Sequence, residues 1–321
     1  MSFTCEPFRG KYADVYERVF GVKDVLYEIN PGKCLCCFLY NGMVQRVLDA
    51  PVRQDDTWLV SFPRTGSTWC QEMIWLIGNN LDFDTAKSTL QQFRAPLLES
   101  SASLYEYADL FKEKFTDSVE YVNNLPSPRF IKTHLAYPLL PSEISKVKPK
   151  IIYIIRNPKD VCVSYYFHSK LLHGFDVDFE LFCELFLNDA VCYGGIFDHY
   201  LEFWNIRHES NILILRYEDM VSDTRGAIKN IAEFMEKPLS ENDIASIAEF
   251  LSFKNMRKNR GCNAEPLLES KHGQDFYNKI GVHFVRQGKA GDWKNYMSPE
   301  MARKFDEYIE KHTRGTGLSF N

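Results

Sequence analysis

Short apolar runs recur along the chain, and several end in a basic or imidazole residue. The first, Trp58 to Phe62, meets Pro63 and then Arg-Thr-Gly-Ser-Thr, after which Trp69 leads into apolar residues at helical spacing, Met73, Leu76 and Ile77. This pattern predicts a strand, a tight loop and a helix. Three further strands are expected at "RFIKTH" (Arg129–His134), "KIIYIIR" (Lys150–Arg156) and "NILILRY" (Asn211–Tyr217). The second of these is a continuous apolar run, as in a strand covered on both faces. Between and after them lie amphipathic segments: residues 158–172, 226–237, 240–251 with Ser240 and Asp243 at capping-box positions, and 298–312 with Ser298 as N-cap and Pro299 at the first helical position. Strands alternating with helices predict an α/β fold, with a central parallel sheet and helices on both faces. With no internal repeat and no Gly/Ser linker, residues 1–321 read as a single domain with its core over about 50–310.

In open parallel sheets ligands sit outside the carboxyl ends of the strands. Those ends carry Arg64, then Lys132-Thr133-His134, then Arg156. A solvated strand end is the common fate of any one of them, but together they converge on one rim. The loop itself suits an anion. Backbone N–H groups at the start of a helix and the helix dipole attract negative charge, Gly66 permits close approach, Thr65, Ser67 and Thr68 add donors, and Arg64 adds a permanent cation. The phosphate-loop spacing G-x-x-x-x-G-K-[ST] is absent, which disfavours a nucleoside or nucleotide kinase.

Composition narrows the classes further. Of 321 residues 45% are hydrophobic and 25% charged, and the net charge of −5 argues against a broad nucleic-acid footprint. No apolar run approaches the roughly 18 residues of a membrane span, and the charged start lacks a signal-peptide centre, so a soluble cytoplasmic protein is expected. Nine scattered cysteines are expected to stay reduced. "CLCC" (Cys34, Cys36, Cys37) has no second pair to complete a zinc site, and small apolar side chains at a loop or strand are the preferred reading.

Six segments carry a resemblance: "FPRTGSTW" (62–69), "KTHLAY" (132–137), "RNPKDVCVSYYF" (156–167), "YEDM" (217–220), "SFKNM" (252–256) and "RQGKAGDWKN" (286–295). In this order and at these separations the chain resembles the cytosolic sulfotransferases over nearly its whole length, with their P-loop-NTPase-like fold. The resemblance implies transfer of a sulfuryl group from 3′-phosphoadenosine 5′-phosphosulfate (PAPS) to a hydroxyl or amine of a small apolar acceptor such as a phenol, sterol or retinoid. Adenosine 3′,5′-bisphosphate (PAP) would be the other product, and no metal is expected. It matches Arg64, Thr65, Gly66, Ser67, Thr68 and Trp69 to the 5′-phosphosulfate loop, and Arg156 and Ser164 to the 3′-phosphate grip. Arg286, Gln287 and Gly288 match the segment closing over that phosphate. Trp69, Tyr217 and Phe253, with Ser252 and Met256 of the same motif, match the nucleotide's neighbours. His134 is matched to the general base, with Lys132 and Arg64 stabilising developing charge.

The chain departs from the family in places. Arg64 stands where lysine is usual; an arginine cannot in practice give up a proton, so it would act by charge and bidentate hydrogen bonding. A catalytically silent nucleotide binder is therefore the alternative, against which Lys132 and His134 persist. Gln287 replaces a lysine, Leu251 replaces a small hydroxyl residue, and "KNYMSPEMAR" (294–303) departs from the family's dimer motif, leaving the oligomeric state open. Candidate acceptor contacts are Tyr40, Phe62, Lys132, His134, Tyr137, His168 and Phe175. Ser100–Val122 reads as a helix with polar flanks that forms a cap over the acceptor pocket. The residues do not distinguish among acceptors, and elimination after transfer stays open.

Overall fold

The computed structural model describes residues 3–273, 276 and 283–320. Its centre is a four-stranded, wholly parallel sheet in the order β5-β4-β6-β7, with β4 Thr57–Ser61, β5 Phe130–Thr133, β6 Lys150–Ile155 and β7 Ile212–Arg216. All four expected strands are present: β4 is shifted back by one residue from its apolar run, and the other three are a residue or two shorter than theirs. Along β4 and β6 alternate side chains part to opposite faces. Trp58, Val60, Ile151, Tyr153 and Ile155 enter one apolar cluster, while Leu59, Ile152 and Ile154 enter a second on the other side. This is the period-two geometry of a strand with helices above and below it.

The chain runs from β4 to β5 on one side and then back across β4 to β6 on the other. That reversal puts a topological switch point beside the end of β4, where the loop 62–66 leads into the helix Ser67–Gly78. At the opposite end of the same strands, Arg129 and Asp56 form a fully buried bidentate ion pair, Nε to Oδ1 at 2.7 Å and Nη2 to Oδ2 at 2.6 Å. Arg129 also donates to the carbonyls of Pro51 and Val122, so this pair ties the entries of β4 and β5 together.

The expected helices are present at Pro158–His173, Thr224–Phe234, Glu241–Phe250 and Pro299–Thr313, and Ser240 and Asp243 form the reciprocal capping box. Ser298 accepts the Met301 N–H as N-cap. The segment 100–122 differs from its expectation. In place of one helix it has short turns at Ser100–Ser103, Tyr105–Tyr107 and Ala108–Phe111, then a new helix Ser118–Asn124. Asp117 caps that helix through the N–H groups of Val119 and Glu120, and the Ser118 hydroxyl bonds the Leu98 carbonyl, so the chain restarts there. The breaks let Tyr107, Phe111 and Phe115 bury together against Leu171, Leu172, Leu267 and Leu268.

An antiparallel sheet of β1 Thr4–Pro7, β2 Leu26–Asn30 and β3 Cys34–Cys37 was not anticipated. Cys34, Cys36 and Cys37, with Leu35 between the first two, make up β3, and all nine cysteines are free thiols. Among the described residues no helix is long and apolar enough to cross a membrane.

Arg129→Leu removes one partner of the buried pair and strands Asp56 without compensation. Denaturant unfolding should show a loss of about 3–5 kcal/mol.

Candidate active site

The loop after β4 adopts a conformation that few sequences tolerate. Arg64 has φ +72° and Gly66 φ +106°, and a Cβ on Gly66 would lie 2.6 Å from the ring of Tyr217. Glycine is therefore required at 66 both for backbone conformation and for space. The helix Ser67–Gly78 begins with Gly66 as N-cap and no side-chain cap, leaving its first N–H groups to an outside acceptor. Thr65 is spent locally, its hydroxyl donating to the Phe62 carbonyl at 3.0 Å.

Cations gather around this loop. Arg64 Nε donates to Ser164 Oγ at 3.2 Å, joining the loop to the long helix Pro158–His173. Arg156, at the end of β6, donates to the carbonyls of Arg64 (3.1 Å) and Lys289 (3.2 Å) and stacks on Tyr217 at 4.0 Å. Its Nε is buried without a partner among the described residues. Burial, with Arg156 and Arg286 nearby, lowers the Arg64 pKa to about 10, so the group remains charged at neutral pH. Burial and Arg64 bring Lys132 down to about 8.

His134 is buried at the end of β5. Its Nδ1 lies 2.7 Å from the Ser61 carbonyl, which can only accept, so the proton is on Nδ1 and the neutral ring has a bare Nε2. Burial and the Lys132 charge hold the imidazolium pKa well below the ordinary histidine range. Residues that sequence reasoning missed fix its backbone. Buried Glu99 accepts the His134 N–H at 2.8 Å, the Thr133 hydroxyl at 2.9 Å and the Tyr193 hydroxyl at 3.2 Å. His199 Nε2 lies 3.1 Å from the His134 carbonyl, and Tyr153 Oη lies 2.6 Å from His199 Nδ1. The one signal for Glu99 was a lone acid after the apolar "APLL".

Trp69 and Tyr217 meet edge to face at 6.2 Å, and Trp69 Nε1 donates to the Leu251 carbonyl. Ser252 is the N-cap residue of the helix Phe253–Lys258, and Phe253 is partly exposed. Gly288, at φ +61°, passes so close to Phe253 that a Cβ there would fall 2.5 Å from the ring. Met256 packs inward, with the Cys262 thiol 3.8 Å from its sulfur. Arg286 pairs with Asp292, bonds Tyr296 Oη at 3.0 Å and stacks on Phe167; Gln287 follows it on the exposed segment. Asp160 holds that segment by accepting the N–H groups of Gly291 and Trp293.

A cavity of about 800 Å³ opens beside the loop and contains Arg64, Ser67, Thr68, Lys132 and His134 in its wall. The rest of the wall is mainly aromatic and aliphatic, as expected for a small-molecule site. Tyr40, His168 and Phe175 line it, together with residues of β2, β3 and the 102–106 turns. Phe62 and Tyr137 do not. Phe62 is fully buried against Tyr165, Phe186 and His199, because β4 turns it into the core, and Tyr137 packs edge-on against Phe203.

A parallel sheet with a cationic rim beside a largely apolar cavity suits an anionic group held next to a small apolar molecule. Residues 54–317 match the family model described as sulfotransferase domain. Luciferin sulfotransferase of Photinus pyralis is 39% identical over 274 residues, covering 83% of this chain and 74% of that protein. Sulfotransferase 1 family member D1 of Mus musculus is 35% identical over 270 residues, covering 84% and 86% respectively. Among solved structures, retinol dehydratase in a complex with retinol and PAP superposes with a TM-score of 0.87 at 27% identity, covering 100% of this chain and 99% of that one. The same enzyme has been solved with androsterone and PAP, at a TM-score of 0.86. The chain belongs to the sulfotransferase family.

Because Arg64 lowers the Lys132 pKa, Arg64→Met should raise it. Titration of ¹³Cε-labelled lysine by NMR, with Lys132 assigned through Lys132→Arg, should move from a midpoint of about 8 to a higher value.

Proposed function

We propose that the protein moves the sulfuryl group of PAPS to a hydroxyl or amine of a small apolar acceptor, with His134 as the general base. The observation that carries this reading is the Nδ1 contact to the Ser61 carbonyl, since it leaves Nε2 free as a proton acceptor in the cavity wall beside Lys132 and Arg64. Retinol and androsterone, bound by the similar dehydratase, are the kind of apolar, hydroxyl-bearing molecule that such a cavity suits.

The residues fit a nucleotide donor. The strained loop with its obligatory Gly66, the uncapped helix start and the orphaned Nε of Arg156 are all arranged for an anion. Arg64, Thr65, Gly66, Ser67 and Thr68 would hold the 5′-phosphosulfate, and Arg156, Ser164, Arg286, Gln287 and Gly288 the 3′-phosphate. Trp69, Tyr217, Ser252, Phe253 and Met256 would surround the adenosine. When bound, PAPS supplies an activated sulfuryl group; the remaining work belongs to the chain. His134 takes the acceptor's proton at Nε2 as its oxygen becomes the nucleophile. Lys132 and Arg64 place positive charge against oxygens that become more negative as the sulfuryl group moves. Arg64 acts by charge and hydrogen bonds, because even at a pKa of about 10 it keeps its proton at neutral pH. The 100–122 turns serve as a cap, since Leu104, Tyr105 and Glu106 line the cavity.

Steady-state assays with PAPS and a panel of phenols, sterols and retinol test this reading directly; absence of any sulfated product would leave a silent nucleotide binder. In an active enzyme, His134→Gln should lower kcat by about 100- to 10,000-fold. Arg64→Ala should cost about 100-fold or more while Arg64→Lys keeps most of the activity, because charge is what the position provides. Gly66→Ala should weaken PAP binding by at least about tenfold in calorimetric titration, because the helix start must shift to clear Tyr217.

A further inference from the structure

One helix holds the ends of two strands. Ile196–Asn205 sends His199 to the His134 carbonyl at the end of β5, and the next residue, Tyr200, to the end of β6. The ladder of β6 stops at the pairs Ile154–Ser61 and Ile155–Arg216, so Arg156 is the first residue beyond it. There the Tyr200 hydroxyl serves both backbone groups of Arg156. It donates to the carbonyl at 2.9 Å and accepts the N–H at 3.0 Å. Burial pushes the phenol pKa up, so the hydroxyl keeps the proton that it donates.

The ring is held as closely as the hydroxyl. Tyr200 is fully buried, edge-on to Tyr153 at 6.3 Å and to Phe197 at 6.2 Å, and stacked on Phe320 at 5.9 Å. Phe320 lies on a segment tied to the same corner. Trp204 Nε1 donates to the Thr316 carbonyl at 2.9 Å, and Arg216, the last residue of β7, donates to the Ser319 carbonyl at 2.6 Å. Asn157, which follows Arg156, donates its N–H to Glu218 at 2.9 Å and caps the helix Pro158–His173 through the Lys159 N–H. The turn that carries Arg156 is thus fastened from both sides. Its guanidinium, bonded to the Arg64 and Lys289 carbonyls and stacked on Tyr217, keeps a buried Nε without a partner among the described residues. A guanidinium that grips a phosphate through two parallel hydrogen bonds tolerates little displacement, and the aim of so long a side chain starts at its Cα. Packing alone would be met by phenylalanine at 200.

We propose that Tyr200 is a positioning residue of the donor site: its hydroxyl fixes the Arg156 backbone so that the guanidinium meets the 3′-phosphate of the nucleotide, and Phe320 supports it from behind. The proposal rests on the reading of Arg156 as a 3′-phosphate contact. Consecutive residues of one helix then serve the two halves of the reaction, His199 through the base and Tyr200 through the donor's recognition. Loss of the hydroxyl should be felt in the preference for a nucleotide that carries the 3′-phosphate, whereas a general loss of packing would weaken binding with or without that group.

The test titrates PAP and adenosine 5′-monophosphate, which lacks the 3′-phosphate, into the full chain by calorimetry. Arg156→Ala should cut the preference for PAP over the monophosphate by about 10- to 100-fold, the worth of hydrogen bonds to a charged group. Tyr200→Phe, which keeps the ring, should cut the same preference by about three- to tenfold. The double variant should match Arg156→Ala alone, because the two residues act through one guanidinium. If Tyr200→Phe does not fold, as judged by thermal melting, Phe320→Ala takes its place with an expected loss of about threefold or more. A preference that survives in Tyr200→Phe or its substitute while Arg156→Ala reduces it overturns the proposal and leaves the donor reading intact. Losses that add in the double variant overturn it as well. A wild type with no preference for PAP, or a preference untouched by Arg156→Ala, overturns the donor reading and the proposal with it.

Discussion

Arg64, Lys132 and Arg156 are gathered at the ends of three adjacent strands, and their mutual repulsion is met by the fold alone. Burial first, and the neighbouring cations after it, lower the pKa of Arg64 to about 10 and that of Lys132 to about 8. Like charges so placed are stable only because each is tied to a rigid element. Arg64 is tied through Ser164, Arg156 through the Arg64 and Lys289 carbonyls and the Tyr217 ring, and Lys132 through β5. Cations fixed in this way are preorganised for an anion.

The same cations act on His134. A histidine near neutral pH could exist in either state, but burial and Lys132 hold His134 unprotonated, and the Ser61 carbonyl selects its tautomer. Glu99 sits behind this group, and its carboxylate spans the Thr133 hydroxyl and the His134 N–H. It begins the segment whose later turns line the cavity, so those turns and His134 share an anchor. Asp160 pins the 291–293 backbone just after Arg286, and Arg286 lies close enough to Arg64 to act on its charge.

The four strands of the parallel sheet and the helix after β4 were legible in the sequence because local forces decide them. A β-rich run covered on both faces has no polar alternation to disguise it, and capping residues such as Ser240, Asp243 and Ser298 act within four residues. The convergence of Arg64, Lys132, His134 and Arg156 was legible too, since a parallel sheet aligns the carboxyl ends of its strands whatever its order. Less could be read of the acceptor wall. The antiparallel β1–β3 sheet is short and packs through distant contacts, and the 100–122 segment follows its helical pattern only until Tyr107, Phe111 and Phe115 find partners on two other helices.

What the sequence by itself determined, then, was the donor side: which strands form, which loop follows the first of them, and which cations stand at their ends. Only the tertiary structure decided the tautomer of His134, the hold of Glu99 and His199 on its backbone, the burial of Phe62 away from the cavity and the placing of His168 in its wall. The first set depends on contacts within a few residues and on the period of a strand. The second depends on groups from about 30 to more than 60 residues apart, whose meeting no local pattern records.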